Sequence, residues 1–284
     1  MTAKPYTTCI VGLGLMGGSL ALALRGFRGG RVVAFARSAS TCERALDDGI
    51  VDFATPDMAL AVAEADLTIY CTPPDIIPRL LAQGLPHMKH GAVACDICGV
   101  KTGLLAALAP LLADGPQYIS AHPMAGKEVG GLANADKNLF VNTGFLITPL
   151  PTTNPDTLAL AHELAAYIGA TKIAVVPPAL HDDIIAYSSD LMHIAASALC
   201  MDMHPDLTPA FTAGAFRDCT RVGNIDAALW TELLMDNRAA IAGHLARYRT
   251  RLEQMQQALE AQNAPALQAL LQLAGDNKRS FLQP

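Results

Sequence analysis

At 284 residues the chain suits one large or two modest domains and is long enough to bury a sizeable core. Hydrophobic residues make up 51%, with Ala and Leu prominent, which favours packed helices over a β-sandwich; the net charge of -6, without a basic block, argues against nucleic acid as a partner. Seven cysteines at irregular spacings are expected to be reduced thiols of a cytoplasmic protein.

The first element carries the most information. Thr8-Cys9-Ile10-Val11 is a short β-forming run that enters the turn Gly12-Leu13-Gly14-Leu15-Met16-Gly17 and leaves as an Ala/Leu-rich helix. In that strand–turn–helix context a G-x-G-x-x-G pattern has a mechanism. Gly12 permits the tight turn, Gly14 lets backbone approach a pyrophosphate, and Gly17 lets helix and strand pack closely. The N–H groups of Leu15 and Met16 then face the phosphates at the positive end of the helix. A secretory signal starting at Lys4 is the rival reading, but glycines interrupt its apolar core. Elsewhere no run of about 18 strictly apolar residues occurs, so no membrane span is expected.

Further along, strands are predicted at 31–36, 51–53, 67–71, 92–96, 118–121, 145–148 and 172–176. Helices are predicted at 41–48, 57–64, 75–83, 100–113 and 155–168. The alternation implies βαβ units and a mostly parallel sheet. Beyond Pro177-Pro178 only helical periodicity remains, at 179–203, 206–221, 226–257 and 263–273. The expected architecture is therefore an α/β Rossmann-type domain over 1–177 and an all-α domain over 178–284. The helical part is too small for a comfortable isolated core, so it is expected to form a homodimer.

The second strand ends in Phe35-Ala36-Arg37-Ser38-Ala39-Ser40-Thr41, without the acid that usually bonds the ribose of NAD. Arg37 can neutralise a 2′-phosphate and Ser38 and Thr41 can bond to it, so NADP is favoured over NAD. Thr41 is also a candidate cap for the next helix.

Three other strand ends are expected at the substrate crevice. Thr72-Pro73-Pro74, preceded by Cys71, would form a stiff, kinked wall beside the nicotinamide ribose. Asp96-Ile97-Cys98-Gly99-Val100-Lys101 is a turn that Asp96 can cap. Cys95 and Cys98 match C-x-x-C, but without a second pair they are read as core or loop thiols, and no metal is expected. His122, in His122-Pro123-Met124-Ala125-Gly126, is the candidate base, since imidazole titrates near neutral pH. His181 and His193 lie on similar faces of one predicted helix, with His181 a candidate cap. Arg217 and Arg221 are four residues apart; one is expected to hold a substrate carboxylate and the other to face water or Asp218.

Together these motifs, with His181-Asp182 and the run Gly214-Ala215-Phe216-Arg217-Asp218-Cys219-Thr220-Arg221, resemble the prephenate/arogenate dehydrogenases of tyrosine biosynthesis along almost the whole chain. The resemblance implies oxidation of a cyclohexadienyl alcohol with loss of CO₂ and hydride transfer to a nicotinamide. It implies that His122 is the base, that Arg221 holds a substrate carboxylate, and that His181 and His193 line the pocket. The loop from Arg37 looks most like the arogenate branch that uses NADP. Two departures stand out: Gly99 replaces a serine, with Cys98 and Thr102 nearby, and Ser189-Asp190-Leu191-Met192-His193 replaces S-H-L-P-H. Asp190, or Asp182, would favour a substrate bearing an ammonium group. Other readings are a prephenate or dual-specificity enzyme, a relative acting on a 4-amino analogue, and a nucleotide sensor without catalysis. A β-hydroxyacid or imine reductase would place a lysine in the helix over 179–203, and none is there. No appended regulatory domain is expected after the polar segment Asp276–Arg279.

Overall fold

The computed structural model describes residues 6–127 and 129–282, so Lys4 lies outside the described residues. Eight strands form one sheet: β1 (Thr7–Val11), β2 (Arg31–Phe35), β3 (Phe53–Thr55), β4 (Leu67–Tyr70), β5 (Val93–Asp96), β6 (Gln117–Met124), β7 (Gly144–Pro149) and β8 (Lys172–Val175). Their order is β3-β2-β1-β4-β5-β6-β7-β8. Every neighbouring pair is parallel except β6 with β7.

The helices α1 (Leu15–Ala23), α2 (Ala39–Asp47), α3 (Met58–Val62), α4 (Ile77–Gly84), α5 (Thr102–Leu112) and α6 (Pro155–Tyr167) connect these strands. Two apolar clusters cover the sheet. One joins Leu20 of α1 and Leu160 and Leu164 of α6 to Ile10 and Ile69; the other joins Val62 of α3, Leu81 of α4 and Leu108 of α5 to Cys9 and Val11. β1 is buried along its whole length, as expected of a central parallel strand covered on both faces. Strand order reverses between β1 and β4, which opens the crevice at the carboxyl ends of the strands.

After β8 the described chain is helical: α7 (Pro178–Ile185), a π-turn at Ala186–Asp190, α8 (Leu191–Met201), α9 (Gly214–Thr220), α10 (Ala227–Asp236), α11 (Arg238–Glu260) and α12 (Ala264–Leu282). The run Pro178–Met201 is long and apolar enough, at mean hydropathy 1.3, to cross a membrane by length and composition. Strict counting of apolar residues passes over it because it carries His181, Asp182 and Asp190, all buried within the protein.

Several element boundaries differ from the periodicity. Between 206 and 221 only Gly214–Thr220 is α-helical, and Arg221 opens a 3-10 turn, so Arg217 and Arg221 do not share one continuous helix face. The expected helix over 226–257 breaks at Asn237, whose backbone (φ -102, ψ 14) leaves the helical region while its side chain is bonded inward. α12 runs on to Leu282 and absorbs the polar segment Asp276–Arg279. Ser38, rather than Thr41, caps α2, its hydroxyl accepting Thr41 N–H at 3.1 Å.

Candidate active site

The dinucleotide loop is built by backbone constraints. Gly12 sits at φ +101, a conformation open to glycine. A Cβ on Gly17 would meet the Gly12 carbonyl oxygen at 1.9 Å, so strand and helix approach too closely there for any side chain. A Cβ on Gly14 would meet nothing within 4 Å, so the backbone of the loop faces open space. Gly14 also begins α1 with no side-chain cap and no acid in the first turn, which leaves the helix dipole available to an anion. Beside it, Thr72 packs against Gly12, and its buried hydroxyl has no hydrogen-bond partner among the described residues. An open glycine cradle, an uncapped helix end and an orphaned hydroxyl fit a nicotinamide dinucleotide. Pro73 and Cys71 flank Thr72, and the Cys71 thiol is pushed well up by burial.

At the far rim of the loop Ser38 lies 2.9 Å from both the Ser40 and Thr41 hydroxyls. Arg37 is exposed next to them, with no ion-pair partner among the described residues.

Next to the cradle lies a buried polar centre at the ends of β5 and β6. Asp96 is fully buried and saturated: Oδ1 accepts Cys98 N–H at 2.9 Å and Lys101 Nζ at 2.8 Å, while Oδ2 accepts the Tyr118 and Ser120 hydroxyls. The parallel register that sets Asp96 opposite Ser120 brings that pair together. Lys101 also donates to the Ala121 carbonyl at 2.6 Å. Its charge is thus held inside, fully paired, one residue from His122.

Asp96 does not cap α5. It folds the turn through Cys98, and the capping acceptor is Asp182 of α7, which accepts Lys101 N–H at 2.9 Å and Thr102 N–H at 2.8 Å. Burial opposes the charge on Asp182, yet hydrogen bonds from His181, Thr102 and Lys101 hold its carboxyl below the usual range. His181 is not a cap either. It is fully buried inside α7, with Nδ1 2.9 Å from Asp182 Oδ1 and Nε2 3.0 Å from His122 Nδ1.

His122 is half-buried on β6. Burial lowers its pKa well below the ordinary value, and the Lys101 charge and His181 push the same way, against Asp182. A Cβ on Gly99 would lie 3.8 Å from His122 Nε2 and meet nothing beyond that ring, so the absent side chain leaves this nitrogen uncovered. Cys98 does not take the place of a serine there, since its thiol is directed to the Thr72 carbonyl at 3.7 Å.

The helical segment carries the remaining candidates. His193 Nδ1 donates to the Ser189 carbonyl at 3.0 Å, and the ring stacks on Trp230 with centroids 3.5 Å apart. Burial lowers its pKa, and the nearby Arg221 guanidinium adds to that against the Ser189 bond. Arg217 instead is 79% exposed, 4.0 Å from Asp218. Asp190 is buried in the π-turn and accepts Asn237 Nδ2 at 2.9 Å, the same amide that donates to the Asp182 carbonyl. Its carboxyl is therefore engaged with the protein interior, and burial raises it to about 6, aided by Asp182 and opposed by the Asn237 bond.

Trp230, Asn237, Tyr118 and Ser120 stand in no recognisable sequence motif. The Asp96–Ser120 pairing follows from strand register, whereas nothing local marks Trp230 or Asn237. Among the described residues no group of three or more His, Cys, Asp or Glu is placed to hold a metal ion. Cys95 and Cys98 are both buried and free.

Comparisons with known proteins cover nearly the whole chain. Residues 20–174 match the nucleotide-binding domain of prephenate dehydrogenase, and residues 177–273 match its dimerization domain. The chain is 27% identical over 284 residues to a prephenate dehydrogenase of Bacillus subtilis, covering 97% of this chain and 76% of that one. It is 29% identical to a cyclohexadienyl dehydrogenase of Zymomonas mobilis, covering 91% of this chain and 90% of the other. The solved structure of Synechocystis arogenate dehydrogenase is similar at a TM-score of 0.82 and 32% identity, with 97% of this chain and 100% of that chain covered. On this evidence the chain belongs to the prephenate/arogenate dehydrogenase family of nicotinamide-dependent oxidoreductases.

Proposed function

We propose that the protein oxidatively decarboxylates L-arogenate to L-tyrosine with hydride transfer to NADP+. The observation that carries the reaction class is the uncovered Nε2 of His122 in a ring whose pKa burial holds down. A neutral imidazole there accepts the proton of the substrate ring hydroxyl as hydride leaves the same carbon. Loss of the C1 carboxylate as CO₂ then sends the electrons of that bond into the ring. His122 returns the proton to the phenolic oxygen, so no net proton is released. The nicotinamide, when bound, supplies the hydride acceptor.

The remaining roles belong to the chain's own groups. Leu15, Met16 and Gly17 offer N–H groups at the start of α1, and Gly12 and Gly14 keep the approach clear. Thr72, between Cys71 and Pro73, presents an unpartnered hydroxyl to the bound ribose. Arg221 holds a substrate carboxylate beside His193, whose ring is fixed by Trp230. His181 stands behind His122, and Gly99 forms the floor beneath it.

NADP is supported by Arg37, with Ser38 and Thr41, and by the absence of an acid at the end of β2. Arogenate is supported by the 32% identity to the Synechocystis enzyme. Prephenate remains the second reading, because the curated relatives from Bacillus and Zymomonas are named for prephenate and for cyclohexadienyl substrates. Homodimerisation through 178–284 is supported by the match to a dimerization domain and by exposed Met201, Phe211 and Leu259. Seven free cysteines are consistent with a cytoplasmic location.

Turnover of arogenate and prephenate with NADP+ and with NAD+, followed by the rise in reduced-nucleotide absorbance, tests the proposal. Arogenate with NADP+ should give the highest kcat/KM, and His122→Asn should lower it by ~10²-fold or more. Equal activity of His122→Asn would refute the base assignment. A preference for prephenate or NAD+ would move the protein to the second reading.

A further inference from the structure

We infer that His181 is a positioning residue that fixes the tautomer of His122, so that the helical segment keeps the lone pair of the base on the nitrogen that faces the substrate. The inference rests on the reading of His122 as the base.

The logic runs along three groups in line. Asp182 Oδ1 lies 2.9 Å from His181 Nδ1, and an ionised carboxylate only accepts, so His181 Nδ1 carries a proton. In a neutral His181 the Nε2 is then an acceptor. It lies 3.0 Å from His122 Nδ1, so that nitrogen must be the donor. A neutral His122 protonated at Nδ1 has its lone pair on Nε2, the atom left uncovered above Gly99. The opposite tautomer would point N–H at the substrate hydroxyl and leave nothing to take its proton.

The anchor of this line is rigid. Asp182 is held by the backbone of Lys101 and Thr102, and the Asp182 carbonyl is held by buried Asn237. His181 itself has no exposed surface. The alternative state is an imidazolium at His181, which would donate from Nε2 and make His122 Nδ1 the acceptor. The Lys101 ammonium is locked onto Asp96 and the Ala121 carbonyl next to His122, and a second buried cation in this corner is unfavourable.

Nitrogen NMR of the full chain labelled at histidine, without substrate, reads the two states directly. The expected result is protonated Nδ1 and bare Nε2 on both His122 and His181 near pH 7. A protonated Nε2 on His122, or a doubly protonated His181, overturns the inference. Kinetics supply an independent arm. His181→Phe should lower kcat by ~10²-fold with KM changed by less than about threefold, and His181→Gln, whose Oε1 can accept from His122 Nδ1, should recover most of the loss. Equal losses in both variants, or a loss confined to KM, would also overturn it. Failure of the His122 assignment would appear separately, as an active His122→Asn variant beside an unchanged tautomer spectrum.

Discussion

The carboxylate of Asp182 in α7 caps the first turn of α5, 80 residues away in sequence, through Thr102 N–H at 2.8 Å and Lys101 N–H at 2.9 Å. One side chain from the helical segment thereby satisfies two orphan donors of a helix in the nucleotide-binding segment and touches His181, the partner of His122. Asp182→Ala removes two charge-assisted bonds to buried donors and should destabilise the protein by ~2–4 kcal/mol. Thermal unfolding at neutral pH checks this. A change within ~0.5 kcal/mol would mean that the cap is not carried by this carboxylate.

The glycine loop separates two effects that are usually confounded. Gly17→Ala forces a Cβ onto the Gly12 carbonyl, where the gap is 1.9 Å, and should cost ~1–3 kcal/mol of stability as well as nucleotide binding. Gly14→Ala meets no protein atom within 4 Å. It should leave the melting temperature nearly unchanged while raising the KM for the nucleotide about tenfold, ~1.4 kcal/mol. If Gly14→Ala binds nucleotide normally, the backbone at this position is not in contact with it.

How much of this site the chain displays depends on sequence distance. The glycine turn, the Thr72-Pro73 wall and the run from His122 to Gly126 are contiguous motifs and can be picked out where they stand, although His122 and Pro123 lie within β6, paired with β7, rather than beyond the strand expected at 118–121. The parallel sheet also follows from local alternation. Sequence offers Asp96 as the cap of α5 because only neighbours compete at that level, and the real acceptor arrives from Asp182. By periodicity Asn237 is an ordinary helical residue within a long run. Its side chain is drawn to Asp182 and Asp190 across 55 and 47 residues, and the backbone breaks there. The stacking of Trp230 on His193 is likewise tertiary.

Arg37 should decide between the two nicotinamide nucleotides. It is exposed and adjoins in sequence the Ser38, Ser40 and Thr41 hydroxyls, a charge and a set of donors that a 2′-phosphate could use. Arg37→Ala should raise the KM for NADP+ by ~10–100-fold and change that for NAD+ by less than about twofold. Equal shifts for both nucleotides would show that Arg37 contacts a part they share.

Asp190 makes a prediction about pH and stability. Burial raises its carboxyl to about 6 from the ordinary 3.8, with Asp182 adding to the shift and Asn237 opposing it. Because the folded value lies above the unfolded one, folding takes up a proton between about pH 4 and 6. Stability from this group therefore declines as pH rises through that window, and above it the buried charge costs up to ~3 kcal/mol. Asp190→Asn keeps an oxygen that can accept from Asn237 Nδ2 while removing the charge. The variant should be more stable than the parent by ~1–3 kcal/mol at pH 8, with the advantage fading below pH 5. Denaturant unfolding at the two pH values measures the difference. An advantage that persists unchanged at pH 4 would place its origin in packing, and a loss of stability at pH 8 would mean that the carboxylate has a cationic partner. The same variant assayed on both acids tests whether that charge reaches the substrate: a fall in arogenate turnover relative to prephenate would show an ammonium held by Asp190, and an unchanged ratio would confine the residue to the π-turn.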